Sequence, residues 1–182
     1  MLGPKIIVSG TSCTGKTTLG RQLARKLGRV QIDLDDLHFL PDWVAKEKEV
    51  FIADVKRATD AHDAWVVSGS YQSVLHETLW PEADTIIWLD LPLHVILSRY
   101  FKRTYRRVRY REKCCGENYE TLHHVIFVDN MLKHILKSYA PRKARLADWR
   151  HGRFANKHWI VPTTAKEVES LLASITSEAE CA

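Results

Sequence analysis

Cysteine is scarce in this chain and poorly placed for structural use. The 182 residues hold four, Cys13, Cys114, Cys115 and Cys181. Two are adjacent and no pair has C-x-x-C spacing, so no disulfide framework is expected and a reducing compartment is. Glycine (8) and proline (6) are too few for a collagen-like or low-complexity chain. No run approaches the roughly 18 apolar residues that a membrane-spanning helix needs, so no membrane partner is expected. Met1-Leu2-Gly3-Pro4-Lys5 leads straight into a strand-like segment without an apolar leader, and the expected location is the cytoplasm.

What is present is ordinary globular material, 45% hydrophobic and 27% charged. A chain of this length buries roughly 70% of the surface it exposes when unfolded, enough for one self-sufficient domain over residues 1–182. The net charge of +5 is unevenly spread. Residues 99–113 carry eight basic residues against one acidic, a net of +7, which leaves −2 for the rest. A local concentration of this kind points to one anion site.

Short apolar runs alternate with helical periodicity. Strands are expected over 5–9, 30–34, 65–68, 85–89 and 158–161. Helices are expected over 16–27, 46–62, from Pro92 into the basic segment, over 121–139 and over 165–175. This alternation predicts an α/β fold, a parallel sheet with helices on both faces.

Gly10-Thr11-Ser12-Cys13-Thr14-Gly15-Lys16-Thr17 fits G-x-x-x-x-G-K-[ST], with a strand before it and a helix after it. Gly10 and Gly15 permit the backbone conformations that aim N–H groups at phosphate oxygens, and the helix start adds its positive dipole end. Lys16 supplies a point charge for the β- and γ-phosphates, and the Thr17 hydroxyl is a magnesium ligand. The expected cofactors are therefore ATP and Mg2+, held over Gly10–Thr17 and Thr18.

Three further groups complete the candidate site. Asp33 and Asp35 follow strand two, two residues apart on one strand face, where ligands of parallel sheets bind. Asp35 is expected to orient or deprotonate an acceptor hydroxyl, and Asp36 to cap a short helix. His38, Phe39 and Trp43 offer rings for stacking or for sealing a substrate subdomain. Gly69 ends strand three and lets a ligand approach the backbone closely, and Tyr71 follows it as a substrate-side candidate. Arg99, Arg103, Arg106 and Arg107 lie at i, i+4, i+7 and i+8 on one helix face, a self-repelling array that fits a polyanionic partner. Arg109 and Arg111 continue it.

These pieces together resemble the P-loop small-molecule and nucleoside-monophosphate kinases, and more narrowly the adenylate-kinase-like family labelled DNA topology modulation proteins. The resemblance rests on Gly10–Thr17, Leu34-Asp35-Asp36-Leu37-His38-Phe39, Pro41-Asp42-Trp43, Trp65-Val66-Val67-Ser68-Gly69-Ser70-Tyr71 and Ala83–Pro92, and covers roughly residues 5–175. It implies a three-layer P-loop fold with a five-stranded parallel sheet of order 2-3-1-4-5, and an arginine-bearing lid near 103–120. It implies phosphoryl transfer from ATP to a small acceptor, a nucleoside or nucleoside monophosphate before a polyol, with Lys16, Asp35, Arg99 and Arg103 catalytic. Asp35, Trp43, Gly69, Tyr71, Arg106 and Arg107 would contact the acceptor. Ser68 departs from the family pattern, which has an acidic residue there that helps hold magnesium-bound water. Asp33 and Asp35 are the expected substitutes, with Thr17 and Asp33 serving the metal.

Three other readings compete. Cys114, Cys115, His123 and His124 invite a zinc site, but adjacent cysteines do not reproduce tetrahedral knuckle geometry. Thr163 and Thr164 either line the donor base or cap the last helix. The +7 segment and Ser68 also fit a nucleotide-binding regulatory or DNA-interacting protein with lost catalysis. That reading is disfavoured because the basic residues lie at the lid position and match no DNA-binding motif.

Overall fold

The computed structural model describes residues 2–114, 118–119 and 131–175. Five strands form one parallel sheet: β1 (Lys5–Gly10), β2 (Val30–Asp33), β3 (Trp65–Ser68), β4 (Thr85–Leu89) and β7 (His158–Ile160). Their order is β2-β3-β1-β4-β7, the 2-3-1-4-5 order expected, with β7 as the fifth strand of the sheet. The register sets Ile7 beside Val67 and Ile86, and Asp33 beside Ser68. A second, antiparallel pair, β5 (Lys113–Cys114) with β6 (Asn118–Tyr119), falls in the 103–120 stretch.

The three inner strands are apolar on both faces because helices cover both. On one face Ile6, Val8, Val66, Ile87 and Leu89 meet Leu19, Leu23 and Ala24 of α1 (Lys16–Lys26), with Val168 and Leu171 of α7 (Ala165–Ser174) alongside. On the other, Ile7, Trp65, Val67, Ile86 and Trp88 meet Phe51 and Val55 of α3 (Lys48–Asp60) and Leu146 of α6 (Met131–His151). Each such fully buried side chain contributes about 1.5–3 kcal/mol relative to exposure. A third cluster joins Leu91, Ile96 and Tyr100 to Ile135, where α5 (Leu93–Tyr110) meets α6, and Cys13 packs against it.

Two helices differ from expectation. Residues 34–38, read partly as strand and partly as a turn, form a short helix, α2 (Leu34–His38), capped by the Asp33 carboxylate accepting from Asp35 N at 3.2 Å. Asp33 is therefore the cap, Asp36 is not, and Asp35 belongs to a helix rather than to a strand face. The helix expected to stop at 139 runs on to His151 with Pro141 inside it. Proline removes one helical donor, but Ile135 and Leu146, both fully buried, anchor α6 on either side of it. Thr164 caps α7, its hydroxyl accepting from Glu167 N at 3.2 Å. No helix among the described residues is long and apolar enough to cross a membrane.

Candidate functional site

The loop between β1 and α1 is built around two glycines. Gly15 takes the left-handed conformation (φ +97°) at the head of α1, and Gly10 has φ +150°. A Cβ on Gly10 would lie 2.9 Å from both the Leu89 carbonyl and Thr14 Oγ1, so no other residue fits. Between them Cys13 also has positive φ (+66°). The Thr11 carbonyl gathers three donors: Thr14 N at 3.3 Å, Thr14 Oγ1 at 2.8 Å and Lys16 Nζ at 2.9 Å. The head of α1 has no side-chain cap and no acidic residue in its first turn. Its leading N–H groups are the open donors that an anion satisfies.

Lys16 is almost wholly buried, and burial lowers its pKa to about 8, against the pull of Asp35 and Asp33. A desolvated ammonium held, among the described residues, by a carbonyl is a ready partner for phosphate. Arg99 reaches the same loop from α5, with Nη1 donating to the Thr14 carbonyl at 2.7 Å. Arg103, one turn on, is half-buried, as is Arg107. Arg106 is exposed and pairs with Glu112 (Nε to Oε1, 2.9 Å), so of these four arginines it is Arg99 that reaches the phosphate loop. The side chains of Cys115, His123 and His124 lie outside the described residues, as does that of Cys114.

Opposite the loop stand the two carboxylates. Asp33 accepts the Thr17 hydroxyl, and its pKa is raised to about 6 by burial first and by Asp35 second. Magnesium keeps several waters and takes one or two protein oxygens beside phosphate, and the hard oxygens of Thr17 and Asp33 fit that demand. Ser68 lies on the neighbouring strand, fully buried, with Gln31 Nε2 donating to its hydroxyl at 3.3 Å. A Cβ on Gly20 of α1 would come within 3.2 Å of Ser68 Cβ. Position 68 thus packs against α1, and Asp33 is the carboxylate that faces Thr17.

Beyond Asp33, Asp35 accepts the Tyr71 hydroxyl at 2.8 Å. His38 touches the rings of Phe39, Phe51 and Tyr71, each at 4.8 Å between centroids, and Phe39 meets Trp43 at 5.7 Å. Burial lowers the His38 pKa. Trp43 sits in a turn, Pro41–Trp43, where Asp42 and Trp43 both have positive φ, and β6 lies against that turn. At Gly69 the Cβ direction is filled by Leu34: a Cβ there would stand 2.6–2.9 Å from Leu34 side-chain atoms.

Sequence reasoning missed Arg142. It lies on the continued part of α6, largely buried, with its pKa lowered by burial and by Arg145. Its Nη1 is buried and has no hydrogen-bond partner among the described residues. It is close enough to Lys16 to depress that lysine's pKa. Lys143 to Asp90 (2.8 Å) and Tyr139 to the Leu91 carbonyl (3.4 Å) hold α6 at this end of the sheet. Nothing in the sequence pointed to it once the helix was ended before Pro141.

Solved structures that share this fold include three small-molecule kinases. A sugar kinase from Janibacter sp. HTCC2649 aligns with TM-score 0.55 at 19% identity, over 97% of this chain and 96% of its own. A shikimate kinase from Acinetobacter baumannii aligns at 0.54 and 19% identity, over 94% and 90%. A gluconokinase from Sinorhizobium meliloti 1021 aligns at 0.55 and 16% identity, over 100% and 98%. At these identities the likeness is one of fold. Among curated proteins none matches the chain. The AAA domain family matches residues 6–121, from β1 through the phosphate loop, both carboxylates and α5, and the chain belongs to that family.

Proposed function

We propose that the protein transfers the γ-phosphoryl group of ATP to a hydroxyl of a small acceptor. The observation that carries this reading is the meeting, at one end of the sheet, of a buried Lys16 in a phosphate loop with Asp33 on Thr17 and Asp35 beyond them. A loop for binding alone has no need of the second carboxylate. The printed activities of the structural neighbours (sugar kinase, shikimate kinase, gluconokinase) agree with the reaction class.

In this reading the loop N–H groups and Lys16 hold the β- and γ-phosphates, and Arg99 braces the loop through Thr14. Thr17 and Asp33 hold Mg2+, which neutralises phosphate charge when bound. Asp35 orients the acceptor hydroxyl and takes its proton as the acceptor oxygen bonds to phosphorus and the bond to ADP breaks. Arg142 and Arg103 approach from α6 and α5 to balance charge on the transferring group. The rings of Phe39 and Trp43 favour an acceptor with a flat face, a nucleoside or nucleoside monophosphate. The basic end of α5 with β5 and β6 serves as the lid, since β6 reaches the Trp43 turn.

The test is ADP release by the pure protein with Mg-ATP against nucleosides, nucleoside monophosphates, shikimate, gluconate and simple sugars. Acceptor-stimulated release, lost in Lys16→Ala, supports the reading. Full activity in Lys16→Ala contradicts it.

A further inference from the structure

The segment Gly69–Gln72 touches both halves of the site. Its attachments to the phosphate-loop side come from three of its four residues. Gly69 N donates to the Val8 carbonyl at 3.2 Å, Ser70 Oγ to the Gly10 carbonyl at 2.7 Å, and Gln72 Nε2 to Ser9 Oγ at 2.8 Å. Ser9 and Gln72 are buried, so that last bond is shielded from water. Val8, Ser9 and Gly10 are the end of β1, from which the phosphate loop springs. The fourth residue, Tyr71, reaches the other way, to Asp35 at 2.8 Å. Its ring is fixed between His38 (4.8 Å) and Phe51 (4.9 Å), and Phe51 is itself buried.

We infer that Tyr71 is a positioning residue: its hydroxyl fixes the Asp35 carboxylate, and Ser70 and Gln72 tie that carboxylate to the root of the phosphate loop. The inference rests on the phosphoryl-transfer reading for its consequence, though not for the bond itself. α2 is only five residues long, too short to persist without tertiary support. Asp33 caps its start, and the Tyr71 hydroxyl holds its second residue. With Oδ1 engaged by Tyr71, Oδ2 is left to receive an acceptor hydroxyl. A proton acceptor must be held to about half an ångström of its working position, and the strap supplies that constraint between acceptor and donor sides.

Tyr71→Phe removes the hydroxyl and keeps the ring packing. Two readouts are taken together: steady-state kinetics, and hydrogen–deuterium exchange on the ligand-free protein. The expected result is a kcat lower by roughly tenfold or more, the scale of a lost hydrogen bond to a charged group, with the KM values for ATP and acceptor within about twofold. Exchange across Leu34–His38 speeds up severalfold while that of α1 stays as in wild type. A raised acceptor KM with unchanged kcat and unchanged exchange at Leu34–His38 overturns the inference and makes the hydroxyl a substrate contact. A second pair reads the same bond from the other side: Asp35→Asn leaves an oxygen for Tyr71 and keeps the protection of α2, whereas Asp35→Ala loses it. Equal protection in the two also overturns the inference. If the wild type shows no acceptor-dependent turnover, the phosphoryl-transfer reading fails, and the exchange data alone decide whether Tyr71 holds Asp35.

Discussion

The Thr17 hydroxyl donates to the Asp33 carboxylate, tying the first turn of α1 to the end of β2. That bond puts a carboxylate beside the helix that carries Lys16, although Ser68 stands where the family resemblance leads one to expect an acid. Asp33 bears a cost for the placement. Its pKa is raised to about 6 from an ordinary 3.8, so between these values the folded state binds more protons than the unfolded one. Stability of the ligand-free protein therefore falls as pH rises through that window, by an amount of up to about 3 kcal/mol. Asp33→Asn keeps an oxygen for Thr17. It is expected to raise the melting temperature at pH 7.5 and to leave it unchanged near pH 4, measured by thermal melts at both pH values.

Lys16 has the opposite sign of shift. Lowered from 10.5 to about 8, it binds fewer protons folded than unfolded between those values, so its buried charge costs stability below pH 8 and the cost fades as pH rises toward 10.5. Ligand-free Lys16→Met is expected to melt no lower than wild type at pH 7, yet to lose ATP binding by at least tenfold. In wild type, ATP affinity is expected to weaken above pH 8 as the ammonium loses its proton, as titration calorimetry across pH 7–10 would register.

Placing an acid at position 68 is expected to harm the fold. Ser68 is fully buried between Gln31 and the Gly20 face of α1. Ser68→Asp places a larger, charged group there, at a cost of about 2 kcal/mol or more. Ser68→Ala loses only one long hydrogen bond and should cost about 1 kcal/mol or less. Urea unfolding of the two variants distinguishes them.

Gly69→Ala is expected to destabilise by about 1–3 kcal/mol, because the new methyl would stand 2.7 Å from Leu34 Cβ, an atom that cannot swing aside. Leu34 begins α2, so the same substitution displaces Asp35 and should lower turnover beyond what lost stability explains. Denaturant midpoints and kcat on the same preparations check this.

Arg142→Gln removes a largely buried guanidinium close enough to Lys16 to lower its pKa. The Lys16 pKa should rise, and catalysis should fall by roughly a hundredfold or more if the guanidinium balances charge on the moving phosphoryl group. Single-turnover rates for the variant measure that loss apart from ATP binding.

The sheet and the phosphate loop were legible because their signals are local. Ile6–Val8, the Gly10 and Gly15 spacing and the Lys16 helix lie within one short stretch, and β3 and β4 read as continuous apolar runs because helices cover both of their faces. The acidic pair was legible as chemistry but not as geometry, since a strand period was extended one turn too far into α2. Arg142 was hidden by Pro141, which reads as a helix end unless the burial of Ile135 and Leu146 on either side is known. The tie between Tyr71 and Asp35 spans 36 residues and depends on how β3 and α2 come together, which no periodicity encodes.

The measurement that tests the central claim most directly is ADP release from Mg-ATP, with and without each candidate acceptor, by wild type and Asp35→Asn. The account predicts turnover that depends on an acceptor and falls by at least a hundredfold in Asp35→Asn while ATP binding is retained. Tight ATP binding with no acceptor-stimulated turnover, or stimulation that Asp35→Asn leaves intact, would contradict it.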